Sequence, residues 1–406
     1  MDATARTPRI LLADCDSYFV RCAMLADPEG AGKAELLIVG GKPTGRGVVT
    51  SASYAARKYG VHAGMPMATA LRMCPKAMCV PVPGEMVSRK HHEVREVLDR
   101  FSPVVEAASV DEFYLDLTGT EELYRGEPLE ETARRIQAAV MDETEIAISL
   151  GGATQRILAK MAASVHKPMG IFIVPPGGES EFMLRFELAD IPGVGPAFAE
   201  QLRRRGAVTV RDLASVDEAT LCSWIGDGRG RWLHGVVHGR ASSEVSRRAP
   251  QKSISHERTF PQDISDDEEL EGRLLYLVGE TGNALRGDGL KARTITVKLR
   301  YGDFTDRSAS RTVAQPLESD RALFAVARAL LRQLRAQRRG GVRLLGVGVS
   351  KLGDDPDEEP MLFEMPQTLE SDRDRRLSAA TDRLRGRFGK EAVLPARVAP
   401  KPRPAK

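Results

Sequence analysis

Four acids on two short apolar runs are the residues of this chain best suited to chemistry. Asp14 and Asp16 sit two apart in ILLADCDSYF (10–19), so on a strand they share a face. Asp111 and Glu112 are adjacent where a second run, EFYLDL (112–117), begins. Acids on a buried strand are expensive to desolvate unless a cation neutralises them. Hard divalent ions such as Mg²⁺ are held by one or two carboxylates plus substrate phosphates. Two such ions can activate a 3′-hydroxyl and stabilise a leaving pyrophosphate. The same spacing also fits acids at strand ends in water, so both readings stand at this level.

Two further segments have phosphate-binding character. Tyr54, Arg57 and Lys58 fall at i, i+3 and i+4 of an expected helix, where a phenol and a guanidinium on one turn can grip a triphosphate. An Arg-Lys pair on a helix is also what a solvated face looks like. In IPGVGP (191–196), Gly193 and Gly195 allow a tight turn whose N–H groups face outward at a helix start, a sequence-independent phosphate cradle. A plain helix–helix turn has the same spelling.

The elements that must position these residues come in three styles. Residues 1–180 interleave apolar strands with amphipathic helices, an α/β layer pattern. Strands are expected within 10–19, 35–41 and 145–153. SPVVEAASVDEFYLDLT (102–118) reads as two strands with a hairpin near Ala107–Ala108. Helices are expected over 129–143 and 156–167. From 181 to 240 short helices alternate with glycine turns, and 241–252 reads as a tether. TITVKLR (294–300) alternates strictly, with Lys298 and Arg300 on its polar face; a helix (320–337) and a strand (342–352) follow. GDDPDEEP (353–360) and the last twelve residues, Pro-rich and charged, read as disordered.

Composition sets the outer limits. With 406 residues, 42% hydrophobic and 28% charged, the chain has room for two to four domains. No apolar run is long enough to span a bilayer, and MDATARTPRILLAD lacks the core of a secretory signal. Five cysteines form no CxxC, against disulfides and structural zinc. The expected location is the cytoplasm, with no membrane contact. Net charge is +3 overall, but residues 251–351 carry +5, and +10 outside the acidic run PQDISDDEEL (261–270). A basic module of this kind is either a polyanion-binding surface or a solvated charged one.

Taken in order, ADCDSYF (13–19), RGVVTSASYAARKYGVHAGMPMATALRMCP (46–75) and ASVDEFYLDLT (108–118) resemble the Y-family (lesion-bypass) DNA polymerases, most closely their polymerase IV branch. SLGGATQRILAKMAASVHKPMG (149–170), ELADIPGVGP (187–196) and QKSISHERTF (251–260) extend the resemblance over about residues 8–352. It implies a multidomain α/β right-hand polymerase: a ferredoxin-like palm (8–25 and 84–174), small fingers (26–83) and a helix-hairpin-helix thumb (175–240). A tether (241–251), an α/β little finger (252–352) and a C-terminal tail (353–406) complete it. The implied reaction is low-fidelity, template-directed transfer of nucleotides from dNTPs to a primer 3′-OH, past damaged bases, on primer–template DNA. Asp14, Asp111 and Glu112, with the carbonyl of Cys15, then match the ligands of two Mg²⁺ or Mn²⁺ ions, while Asp16 matches an aspartate outside that set. Phe19 matches a steric gate against the 2′-hydroxyl. Tyr54, Arg57 and Lys167 match triphosphate contacts, and Thr50 and Ser51 match small residues over the nascent pair. Gly193 and Gly195 match the duplex-gripping hairpin of the thumb.

The chain departs from the family pattern at three places. VRCA (20–23) stands where a glutamate is common, Gln155-Arg156 replaces Asn-Lys, and Ser53 replaces an asparagine. Glu359 to Phe363 is the nearest match to a sliding-clamp peptide, with glutamate in place of the usual glutamine. The expected state is a monomer, nucleoid-associated when on DNA. Two alternatives carry different expectations. A catalytically silent DNA-docking relative would lose its acids. A nucleotide cyclase on a similar palm would need neither the glycine turn nor the basic module.

Overall fold

The computed structural model describes residues 6–246, 251–353, 369–389 and 392–393. The chain divides into two compact units, Met1–Ala249 and Pro250–Lys406. In chain order the first unit begins β1 (Ile10–Cys15), α1 (Tyr18–Ala26), β2 (Leu37–Gly40), β3 (Val49–Ala52), α2 (Tyr54–Arg57), α3 (Met67–Met73), β4 (Met78–Val80) and α4 (Gly84–Leu98). It continues β5 (Val104–Ala107), β6 (Glu112–Asp116), α5 (Leu129–Thr144), β7 (Ile148–Ala153), α6 (Arg156–Val165) and β8 (Ile171–Ile173). Five short helices close it: α7 (Glu179–Met183), α8 (Pro196–Arg203), α9 (Val210–Ala214), α10 (Glu218–Ile225) and α11 (Asp227–Val237).

β1 lies at the middle of a five-stranded sheet ordered β5-β6-β1-β7-β8, antiparallel to both neighbours. Both its faces are covered, which is why ILLADC is apolar save for Asp14 rather than alternating. Leu11, Ala13 and Cys15 pack with Val94 and Leu98 of α4 and Ile136 and Val140 of α5. Ile10 and Leu12 face the other way, with Leu158, Ala159 and Ala162 of α6. The α6 backbone lies so close to β7 that a Cβ on Gly151 would run into Ala159 O and Ala163 N. A separate three-stranded sheet, β3-β2-β4, carries residues 37–80. The hairpin joining β5 to β6 turns through residues 108–111 rather than at 107–108. Ser109 sets that turn: its hydroxyl accepts the Asp111 amide (3.2 Å), and the Ala108 amide donates to Glu112 O (2.9 Å).

The second unit runs β9 (Ser253–Ile264), α12 (Asp267–Gly287), β10 (Ala292–Tyr301), β11 (Asp306–Leu317), α13 (Asp320–Gln337), β12 (Val342–Leu352) and α14 (Asp372–Phe388). Its antiparallel sheet is ordered β11-β10-β12-β9. Ile295, Val297, Leu299 and Tyr301 build a core with leucines of α12 and α13. The opposite face is built of small groups. Register aligns Thr312, Thr294, Ser350 and Ser253 in one row and Ser310, Thr296, Gly348 and Ser255 in the next.

No element is expected from the sequence over 372–388, and the structure has a helix there. It docks on α12 and α13 through polar groups, so it lacks the apolar stripe by which helices are read. The Arg286 guanidinium holds Asp382 at 2.6 Å, Arg321 holds Asp374 at 3.1 Å, and the Asp320 amide donates to Ser378 Oγ. Leu377, Leu384 and Phe388 point to solvent. The stretches expected to be disordered, and Glu359 to Phe363, lie outside the described residues save Gly353.

Candidate active site

The β1–β6 register sets Asp14 directly opposite Glu112, and opposed residues of an antiparallel pair project to the same face. Asp111 is the last residue of the hairpin turn. Its carbonyl accepts the Cys15 amide at 2.9 Å, which ties it to the end of β1, and its carboxylate accepts Ser109 Oγ at 2.5 Å. Two cations reach this face from α6 and the loop after it. Lys160 Nζ bridges both Glu112 oxygens at 2.7 and 2.6 Å, and Lys167 pairs with Asp14. Burial pushes the Asp14 carboxyl above its usual range, Lys167 opposes this, and Glu112 and Asp111 push the same way as burial.

Asp16 belongs to a different structure. β1 ends at Cys15, so Asp16 lies in the following turn and the shared strand face expected from its spacing does not form. Its buried carboxylate is filled: Ser149 Oγ and the Met169 amide donate to it at 2.8 Å each, and Tyr54 OH at 3.2 Å. It joins three segments, and these three donors take up most of its acceptor sites. Burial first, then the Asp16 charge, push the Tyr54 phenol up to about 12, which keeps it a neutral donor. Arg57 stacks over the Tyr54 ring at 4.8 Å and donates through Nε to Ala52 O at 2.9 Å. Lys58 only caps α2 at its C-terminus and is exposed.

Phe19 sits on the first turn of α1, which starts from Ser17 in a left-handed conformation (φ 46°). Its half-buried ring meets Tyr18 edge-on at 5.7 Å, and Tyr18 is fixed by its hydroxyl on Val87 O at 2.6 Å. Thr50 and Ser51 lie on β3. Ser53 takes over backbone work at the head of α2: its hydroxyl accepts the Ala56 and Leu37 amides at 3.2 Å and donates to Glu35 O.

The remaining expected residues divide. Gly193 has φ 102° and faces the Trp232 ring, so only glycine fits there. Gly195 has an ordinary φ of −76° at the start of α8, so the tight turn needs only the first glycine. In the second unit Lys298 and Arg300 do share the polar face of β10, but each has an acid beside it. Lys298 Nζ is 3.2 Å from Glu257, and Arg300 grips Asp306 through two bonds of 2.6 and 2.8 Å. Glu257 arrives from β9, two strands away, where local spacing gives no warning.

The profile of the impB/mucB/samB family matches residues 13–164, and that of its C-terminal domain matches 251–362. A DNA polymerase IV of Caulobacter vibrioides is 35% identical over 388 residues, 95% of this chain and 93% of that one. Another, of Methanoculleus marisnigri, is 36% identical over 84% of this chain and 94% of its own. Among solved structures, a Y-family DNA polymerase chimera of Dbh and Dpo4 superposes with a TM-score of 0.76 at 27% identity, over 86% of this chain and all of that one. The insertion ternary complex of Dbh DNA polymerase gives 0.60 at 27% identity, over 84% of this chain and 98% of that one. This chain is a Y-family DNA polymerase of the polymerase IV branch.

Y-family polymerases are nucleotidyltransferases that use divalent ions, and the donor chemistry here suits one: three hard carboxylates, with Asp14 buried enough that its charge is costly without a cation. Among the described residues no three such donors converge on one point, and Lys167, Lys160 and Ser109 each hold one of the three carboxylates. Sequence reading of this Y-family chain missed Lys160, although ILAK stood in the motif. It also missed what replaces the family's Asn-Lys. Gln155 donates to Gly239 O. Arg156 stacks on Tyr114 at 4.4 Å, pairs with Glu106 and donates to Glu244 O at 3.0 Å, pinning residues 239–246. Arg307 and Arg311, exposed on β11 and without a carboxylate partner among the described residues, were also passed over.

Proposed function

We propose that this chain extends a DNA primer by template-directed nucleotidyl transfer from dNTPs and accepts damaged template bases. The observation that carries the reading is the pairing of Asp14 with Glu112 across β1 and β6, with Asp111 tied to the same strand end. A silent docking relative does not fit a site that retains all three acids. A cyclase does not fit the match of the family's C-terminal domain to 251–362.

Asp14, Asp111, Glu112 and the Cys15 carbonyl would hold two Mg²⁺ ions, or Mn²⁺ in their place. When bound, these activate the 3′-hydroxyl and stabilise the leaving pyrophosphate. The chain's own groups do the rest. Lys167 and Arg57 hold the triphosphate, the neutral Tyr54 phenol joins them when its single O–H turns from Asp16, and Arg57 is already aimed by its stacking on Tyr54 and its bond to Ala52 O. Phe19, immobilised by Tyr18, collides with a ribose 2′-hydroxyl. Thr50 and Ser51 are too small to police the nascent pair, which admits bulky lesions.

The strands of the five-stranded sheet all fall within 8–25 and 84–174, which supports assigning that part as the palm, with 26–83 the fingers and 175–240 the thumb. Thumb amides around Gly193 and Gly195, and the hydroxyl-rich face of the second unit with Lys298 and Arg300, would follow duplex phosphates without reading bases. Residues 252–352 are then the little finger, joined through the tether 241–251. Glu359 to Phe363 would meet a sliding clamp. No described helix is long and apolar enough to cross a membrane, and we place a monomer in the cytoplasm, on the nucleoid when bound to DNA. Primer extension on intact and abasic templates tests the reading. Asp111→Ala should abolish extension and spare primer–template binding, and normal extension by that variant overturns it.

A further inference from the structure

The two lysines on the carboxylates have a consequence beyond holding a triphosphate. Asp14, Asp111 and Glu112 bring three negative charges to one face, and Lys160 and Lys167 return two positive ones. The four paired side chains, Asp14, Glu112, Lys160 and Lys167, are only 18–35% exposed, so water screens the pairs incompletely. A divalent ion approaching the nucleotide-free site therefore meets a net charge near −1 instead of −3, and must displace an ammonium from each of two ligands. Lys167 has somewhere else to go, since a triphosphate offers it more negative charge than Asp14 does. Lys160 has no such second partner in the site. It donates to both Glu112 oxygens from the middle of α6, and α6 is locked against β7 at Gly151.

We propose that Lys160 and Lys167 are built-in counter-cations that weaken divalent-ion binding at the nucleotide-free site, Lys167 being drawn off Asp14 by the arriving nucleotide and Lys160 staying as the positioning residue that sets the threshold at Glu112. This rests on the reading of Asp14, Asp111 and Glu112 as metal ligands. It makes ion capture depend on the triphosphate, because the arriving phosphates free Asp14 by taking Lys167. The free enzyme then carries no loosely held ion competent for stray chemistry on primer ends.

The test is Mn²⁺ binding to the full, nucleotide-free chain, followed by the paramagnetic resonance signal of the free ion. Lys160→Met keeps the aliphatic stem and removes the charge. It should bind Mn²⁺ about tenfold more tightly than wild type, and Lys160→Arg should stay near wild type. A lysine that merely propped Glu112 in place would have the opposite sign: its loss would loosen the ligand and weaken Mn²⁺ binding. Unchanged or weaker binding by Lys160→Met, in protein with a wild-type melting temperature, overturns the proposal. The underlying reading is tested separately in the same titration. Asp14→Asn and Glu112→Gln should each lose Mn²⁺, and if neither does, these residues are not the metal site and the inference falls with them.

Discussion

The two large sheets of this protein handle charge in opposite ways. In the first unit, acids sit at the end of a strand buried on both faces, and each is answered individually: Lys167 for Asp14, Lys160 for Glu112, three donors for Asp16. In the second, the charges stand on a face covered by threonine, serine and glycine, where Lys298 and Arg300 pair with Glu257 and Asp306 in water. Surface pairs of that kind contribute little individually, because water and salt screen them. Single substitutions should therefore be severe in the first sheet and mild in the second, whose proposed grip on DNA would be a sum of small contributions.

The largest expected effect is loss of a ligand. Asp111→Ala, or removal of divalent ions with a chelator, should cut extension by about 10³-fold or more, the scale of several kcal/mol of lost transition-state stabilisation. Steady-state extension and DNA affinity measured side by side would check it. If affinity falls with extension, the concentrated-chemistry side of the comparison is wrong. Next comes Phe19→Ala, for which ribonucleotide use should rise by about 10²-fold with a smaller change for dNTPs. Equal selectivity in the variant and the wild type would mean the ring does not lie under the sugar.

The second unit should respond only when removed wholesale. A chain ending at Ala249 keeps its acids but should extend weakly and distributively, with a shallower salt dependence of DNA binding. The Lys298→Ala/Arg300→Ala double variant is the smallest effect. The log–log salt slope falls by about 0.9 for each phosphate that is no longer neutralised, and since both cations are paired with acids the change should be less than twice that. A full collapse of affinity in the double variant would concentrate the grip in two residues and erase the contrast.

Much of the first sheet was legible because its signals are local. ADCDSYF and ASVDEFYLDLT each name a strand and its acids, though not where the strand stops, and their pairing followed from the family resemblance. What stayed hidden depends on residues far apart in sequence. Spacing paired Asp16 with Asp14 and the family resemblance set it apart, but its actual partners, Ser149 and Met169, lie more than 130 residues away. Glu257, two strands away from Lys298, qualified a face that looked purely basic. The helix Asp372–Phe388 was missed because it inverts the usual rule, holding its domain by Asp374, Ser378 and Asp382 while its leucines face outward.

Gly151 shows how such a site will look to anyone who scans it by mutation. It carries no side chain and would be dismissed as filler, yet a Cβ there would run into Ala159 O and Ala163 N, so any larger residue should push α6 from β7 and Lys160 from Glu112. Gly151→Ala should lower stability by about 1–3 kcal/mol, read as a drop in melting temperature, as overpacking does elsewhere. The activity it loses should exceed what that instability explains. Ranked by phenotype alone, a position with no reactive atom would stand beside the aspartates, and its tolerance to change would measure the tolerance of the electrostatics above it.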